Sequence, residues 1–255
     1  MSELTDWERQ QIEMERHKLR RRGREYFAPL FRRLAADVEG RPKVLSVGCG
    51  IAEDLEALAD AGLEVYGVDP GFRMAEWGQR GILGRLLRAD GRRLPFADGT
   101  FDIVMSSGVI EHVGAAGDGL ELLPDFREHR ARYAREMVRV TRPGGSIVLD
   151  TPNVRFPIDA WHGPYHLWGR WHSPWERFLV SFKQIRDLFV GQGGARTVEA
   201  LGLRGFFVFD NVRQRPLGRL AGLMAGGLIR LADVRLFRWV RRSWLMPYLV
   251  VRIVR

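Results

Sequence analysis

The sequence predicts an α/β fold, a parallel sheet with helices on both faces, and three observations carry that prediction. From Lys43 onward, short apolar runs alternate with stretches of helical period. Those runs are apolar along most of their length, as strands buried on both faces must be. A glycine pair, Gly48 and Gly50, separates the first run from the helix that follows it, the junction at which open α/β sheets accept ligands.

Residues 4–38 read as helix, interrupted near Gly23, with Tyr26, Phe27, Leu30, Phe31 and Leu34 on one face. Pro29 marks the start of a second helix better than the middle of one. "KVLSVG" is the first strand and "EDLEALADAG" the helix closing on Gly62. "LEVYGVD" is the second strand and "GFRMAEWGQRG" the next helix. "GRLLRAD" is a third strand, followed by the loop "GRRLPFADGT", and "FDIVMSS" is a fourth. Residues 119–141 then form a long helix stopped before Pro143-Gly144-Gly145, and "SIVLDTP" is the fifth strand. Beyond Pro152 the pattern breaks into a segment rich in aromatics, histidines and prolines. "SFKQIRDLF" resumes a helix, "RGFFVFDNV" is a strand, and "PYLVVRIV" is the final one.

The 255 residues are 45% hydrophobic, with 8 Trp and 14 Phe, enough for a sizeable core in one domain. A single cysteine, Cys49, excludes a disulfide framework and suits a reducing, cytoplasmic setting. The charged N-terminus has no apolar signal region, and no apolar run is long enough to cross a bilayer. The net charge of +9, mostly arginine, suits a polyanion, an anionic membrane surface or a phosphorylated substrate.

Glycines between a strand and a helix bring the backbone against a ligand. A dinucleotide site requires a third glycine where this chain has Glu53, and a carboxylate there opposes a pyrophosphate. A dehydrogenase is disfavoured on that ground.

The stretches "VLSVGCGIAEDLEAL", "LEVYGVDP", "RADGRRLPFADGTFDIVMSSGVIEHV" and "MVRVTRPGGSIVLDTPN" occur in this order over residues 43–154. Together they resemble the successive motifs of class I S-adenosylmethionine-dependent methyltransferases, nearest the small-molecule branch that includes quinone-biosynthesis enzymes. More loosely, "TPNVRFPIDAWHGP" resembles methyltransferases of glycan and natural-product pathways. The resemblance implies a Rossmann-like seven-stranded, mostly parallel sheet. It also implies a helical cap over residues 1–42, a methyltransferase domain over 43–255, and a helical insertion before the last strand. It implies S-adenosylmethionine as cofactor, with Gly48, Cys49 and Gly50 against its methionine and ribose. Asp69 and Pro70 would lie at the ribose hydroxyls, Asp90 and Gly91 at the adenine, and Ser107 and Gly108 at the amino group. Two departures are Ala52 for a third glycine and Ser46 where the family often has an acidic residue.

Methyl transfer to oxygen or nitrogen calls for a group that handles the acceptor's proton. His112, after the fourth strand, is the leading candidate, with Glu111 beside it as a pocket or capping residue. Asp159 and His162 lie with Tyr165 and His166 in residues 153–180, the segment expected to cover the substrate. Asp159, His162 and His166 are of types that bind a divalent cation and orient a diol or catechol. Their spacing matches no established ligand pattern, so no metal site is assigned. Ser106-Ser107-Gly108-Val109 stands where amino-methylating nucleic-acid enzymes carry an Asn/Asp-Pro-Pro-Tyr sequence.

The segment 213–245 is basic and apolar, with Asp233 as its one acidic residue. Leu220, Leu223, Met224, Leu228 and Leu231 share a helical face, with Arg219 and Arg230 on another. That face would pack on the domain or on a second copy, or residues 217–243 would lie in an anionic membrane interface on the inner face. The sequence therefore predicts O-methylation of a small-molecule, sugar or lipid-linked acceptor. The alternatives are methylation of RNA or protein, or a non-catalytic scaffold docking through its basic segment.

Overall fold

The computed structural model describes residues 13, 16–117, 119–162, 170–206 and 226–255. Seven strands form one sheet in the order β3-β2-β1-β4-β5-β9-β8. β1 (Lys43–Val47), β2 (Glu64–Val68), β3 (Leu86–Leu87), β4 (Phe101–Ser107) and β5 (Thr141–Pro152) run parallel. β9 (Tyr248–Val254) inserts antiparallel between β5 and β8 (Thr197–Ala200). A two-stranded ribbon of β6 (Ile158–Asp159) and β7 (Arg170–Trp171) stands apart from it.

Strand periodicity sorts the core onto two faces. Val44, Ile103, Met105, Val148, Tyr248 and Val250 face one way. Leu45, Val47, Val104, Ile147, Leu149, Leu249 and Val251 face the other. α1 (residues 16–22) leads into a turn, Gly23–Phe27, that with α2 (Ala28–Leu34) and α3 (Glu53–Asp60) covers the first face, through Phe27, Phe31, Leu55 and Leu58. The second lies under α4 (Phe126–Val140) and α5 (Phe182–Arg186), through Tyr133, Ala134, Met137 and Ile185.

The break expected at Gly23 is a π turn, Gly23–Phe27, in otherwise continuous helical backbone. The Ala28 N–H bonds to the Gly23 carbonyl, and Pro29 sits in the first turn of α2, where its missing N–H costs nothing. Gly23 itself is required by packing: a Cβ there would lie 2.8 Å from the Asp54 carbonyl oxygen on α3.

Four sequence expectations are corrected. The helix expected over 119–141 begins only at Phe126. Pro124 and Asp125 form the turn before it, and Leu122 bridges to Ala115. "GFRMAEWGQRG" holds a 3-10 helix, Phe72–Gln79, and "GRLLRAD" contributes only Leu86–Leu87 to the sheet. Among the described residues the strand before the last is Thr197–Ala200; of "RGFFVFDNV", Arg204–Phe206 form a turn and residues 207–212 lie outside the described set. Of the basic insertion, residues 226–233 form helix α6 and Arg235–Arg242 a 3-10 helix. Among the described residues Ile229, Ala232 and Val240 are buried in it, whereas Leu231 is exposed. Leu220, Leu223, Met224 and Arg219 lie outside the described residues. Among the described residues no helix is long and apolar enough to cross a membrane.

Candidate active site

The loops at the C-terminal ends of β1, β2, β3, β4 and β5 gather most of the residues singled out in the sequence. After β1 the chain turns through positive φ at Gly48 (77°), Gly50 (52°) and Ala52 (60°). Gly48 admits no side chain, since a Cβ would lie 2.4 Å from Cγ2 of Val109. The N–H groups of Gly48 and Cys49 both donate to the Val68 carbonyl, at 2.8 and 3.0 Å. Cys49 is a buried thiol, pushed well up by burial.

Asp69, buried at the end of β2, accepts from the N–H of Gly50 at 2.9 Å and of Gly71 at 2.7 Å. Pro70 between them is exposed. The carboxylate thus fastens the glycine loop to the next strand, and each oxygen keeps a lone pair for a ligand hydroxyl. Trp77 donates its indole N–H to the Gly50 carbonyl at 2.8 Å. Glu53 is paired with Arg80 at 2.7 Å and Arg20 at 3.5 Å, which offset its charge.

Asp90 is held by Arg92, through its backbone N–H at 2.8 Å and its guanidinium, which keep the carboxyl low. An adenine amino group would share that carboxylate with Arg92. Gly91 packs against Tyr133 and Val47, either of which a Cβ would strike. Ser107 donates its hydroxyl to Asp150 at 2.9 Å, and the Gly108 N–H bonds to the Asp150 carbonyl at 3.0 Å.

Asp150 is a residue that sequence reading missed. It is buried, accepts from Tyr248 at 2.8 Å, and its second oxygen, Oδ2, has no hydrogen-bond partner among the described residues. Burial raises its carboxyl, opposed chiefly by the Arg22 charge. Arg22 also lies 3.7 Å from Asp54. Buried Asp54, Asp69 and Asp150 therefore surround the glycine loop, with Arg22 reaching in from the cap.

A second cluster forms where β4 runs toward α4. His112 Nε2 faces His162 Nε2 at 3.2 Å, although fifty residues of sequence separate them. Glu111 Oε1 lies 4.0 Å from the same His162 nitrogen. Glu111 is buried and bonded to Thr151 at 3.1 Å; burial pushes its carboxyl up to about 7. Burial, then the neighbouring His162 and Arg73, lower His112 to about 4. His112 is therefore neutral at pH 7, with an open lone pair but little basicity. Behind His162, Asp159 accepts from Nδ1 at 3.0 Å, from the N–H groups of Trp161 and His162, and from Arg170 at 3.0 Å. Burial opposes its charge, but these donors hold the carboxyl at about 2. Phe178 walls both imidazoles edge-on. Tyr165 and His166 lie outside the described residues.

Arg130 ties this cluster together. Its buried guanidinium donates to four backbone carbonyls: Glu111 (2.9 Å), Val113 (3.3 Å), Arg177 (3.1 Å) and Phe178 (2.7 Å). Burial lowers its pKa to about 10, so it stays charged. The signal for it is legible in retrospect: an arginine on the apolar stripe Phe126, Ala134, Met137 of α4 must find acceptors.

The chain matches the family model described as a methyltransferase domain over residues 45–149. A methyltransferase of Mycolicibacterium gilvum whose own activity is uncharacterised is 39% identical over 209 residues, covering 76% of this chain and 71% of the relative. A second, from Mycobacterium sp. strain JLS, is 39% identical over 54% of this chain and 47% of its own length; the chain thus spans about half the length of the first curated relatives it matches. The S-adenosylmethionine-dependent methyltransferase of Mesorhizobium loti shares the fold, at TM-score 0.51 and 16% identity, over 88% of this chain and 96% of that one. The chain belongs to the class I S-adenosylmethionine-dependent methyltransferases.

The residues present fit that cofactor. Asp150 Oδ2 is buried without a hydrogen-bond partner among the described residues, and the buried carboxylates suit a molecule bearing a sulfonium and an ammonium. Replacing Asp69 with Ala should weaken binding of S-adenosylhomocysteine about tenfold or more, the loss of one charge-assisted hydrogen bond; unchanged affinity by calorimetry would remove Asp69 from the ribose site. Arg130→Met should destabilise the fold by about 3 kcal/mol, because it leaves buried carbonyls unpaired. An unshifted urea midpoint would mean that the strut carries no load.

Proposed function

We propose that the chain transfers a methyl group from S-adenosylmethionine to a hydroxyl oxygen of a small-molecule, sugar or lipid-linked acceptor. The observation that carries this reading is the cluster of Glu111, His112 and His162 beside Ser107–Gly108, at the edge of the cofactor loops. When bound, the cofactor would supply an electrophilic methyl on sulfonium with a neutral thioether as leaving group, and the acceptor's hydroxyl would give up its proton in exchange for that methyl. Gly48, Cys49, Gly50, Asp69, Pro70, Asp90, Gly91, Ser107 and Gly108 hold the cofactor, with Arg22 toward its carboxylate. Glu111, His112 and His162 hold the acceptor oxygen and ease loss of its proton, and Asp159 fixes the tautomer and angle of His162.

A cleft of about 550 Å³ adjoins the cluster, sharing Phe178 and Arg170 with it and lined by Leu120, Leu123 and the exposed Trp175. It suits the apolar body of the acceptor. With methyl-labelled cofactor and a fractionated extract of the source organism, label should enter small molecules or lipid. Label in RNA or protein would overturn the reading in favour of a macromolecular substrate, and cofactor binding without any turnover would favour a scaffold. His162→Ala should lower turnover by about 10²-fold or more, with cofactor affinity retained.

A membrane-facing acceptor has its own support. Leu236, Trp239 and Trp244 are exposed along the 3-10 helix and just beyond it, interleaved with the exposed Arg235, Arg238 and Arg242. Apolar anchors beside arginines suit an anionic interface. The protein should co-sediment with anionic vesicles and not with neutral ones, and the triple substitution L236S/W239S/W244S should abolish it. Undiminished sedimentation of that variant would leave membrane contact without this cause.

A further inference from the structure

We infer that Glu111, His112 and His162 form a binding site for one divalent transition-metal cation, whose open coordination positions take two neighbouring oxygens of the acceptor. The inference rests on the hydroxyl-methylation reading for the acceptor, but not for the cation.

The ligand atoms are already gathered. One donor atom from each of the three residues lies within 4.8 Å of the others. The two facing imidazole nitrogens are 3.2 Å apart, and the nearer Glu111 oxygen is 4.0 Å from His162 Nε2. A cation with metal–nitrogen bonds of about 2.1 Å sets neighbouring donors about 3 Å apart at right angles and opposite donors about 4.2 Å apart. The separations of 3.2 and 4.0 Å fall between those limits.

Tautomer chemistry gives the second argument. Asp159 accepts two backbone N–H groups and Arg170 besides His162, so it is an ionised acceptor and the His162 proton resides on Nδ1. That leaves Nε2 bare and aimed at His112. Carboxylate behind imidazole is the arrangement that orients a metal-binding histidine and raises its donor strength. In a site built only to shuttle a proton, one imidazole backed by Asp159 would suffice. Here a second imidazole and a buried carboxylate converge on the same point. Arg130 fixes the backbone of Glu111 on one side and of Phe178 on the other, so the three donors are held by strand ends and a buried strut.

Two imidazoles and one carboxylate favour zinc or manganese over magnesium or calcium, which prefer all-oxygen donors. Three protein ligands leave the coordination sphere open. An acceptor with vicinal oxygens, a diol or catechol, would fill it and present one oxygen to the methyl donor.

The test uses the full chain, stripped with chelator and titrated with Mn²⁺ followed by electron paramagnetic resonance, then with Zn²⁺ by calorimetry. One ion should bind per chain. His112→Ala and His162→Ala should each abolish binding, and Asp159→Asn should weaken it about 10- to 100-fold. Calorimetric binding of S-adenosylhomocysteine, retained in all three variants, shows that they are folded. Failure of the folded wild-type chain to bind one equivalent of either ion would overturn the site, as would stoichiometric binding that survives both histidine substitutions. Binding of the ion does not depend on methyl transfer. A bound ion with label in a macromolecule would therefore refute the acceptor reading alone, and label in a hydroxylated small molecule without a bound ion would refute the site alone.

Discussion

A buried arginine with no room to remain unpaired organises the catalytic side of this protein. A guanidinium removed from water must keep its donors satisfied, and Arg130 meets that demand only if the turn after β4 and the stretch before α5 both bring their carbonyls to it. These segments are far apart in sequence and neither belongs to a regular element. Their positions are set by the requirements of one side chain on α4, and the residues they carry, Glu111 and His112 on one and Phe178 on the other, inherit that precision. The same economy operates on the cofactor side, where Asp69 joins the glycine loop to β2 by accepting from Gly50 and Gly71.

Charge is distributed unevenly between surface and interior. The chain carries a net charge of +9, yet the groups buried around the sheet's C-terminal edge are mainly carboxylates: Asp54, Asp69, Glu111, Asp150 and Asp159. Arg22, Arg130 and Arg170 answer them incompletely. The interior thus favours a ligand with cationic character, while the excess positive charge lies outside it. Total charge described the exterior alone and was silent about the site.

Much of the fold was legible because it rests on local rules. Continuous apolar runs marked β1, β2, β4, β5 and β9, and the glycine pair and Asp69 fell where their backbone roles required them. What escaped was what depends on distant chain. The helix after β4 was read too long because residues 119–125 carry leucines that belong to a bridge and a cleft rim, with Pro124 as the overlooked stop. Thr197–Ala200 was missed because an edge strand with Glu199 and exposed Thr197 has no apolar run to announce it. The pairing of His112 with His162 needed the tertiary fold, since only the return of the chain after β5 brings them face to face. Asp159 was legible as a neighbour of His162, whereas the approach of Glu111 to His162 depends on the tertiary fold.

The position of β9 between β5 and β8 also has a kinetic meaning. It pairs with β5 on one side and β8 on the other, so the sheet's second half has no continuous ladder until residues 248–254 have been synthesised. Until then β5 presents an open, apolar edge, the kind of surface on which partly made chains associate. Closing the sheet also requires joining strands separated by the whole ribbon, helix and basic insertion, a non-local step of the sort that slows folding. The order of synthesis therefore leaves the Asp150–Tyr248 hydrogen bond among the last contacts to form, and the cofactor side of the site is completed only when the sheet is.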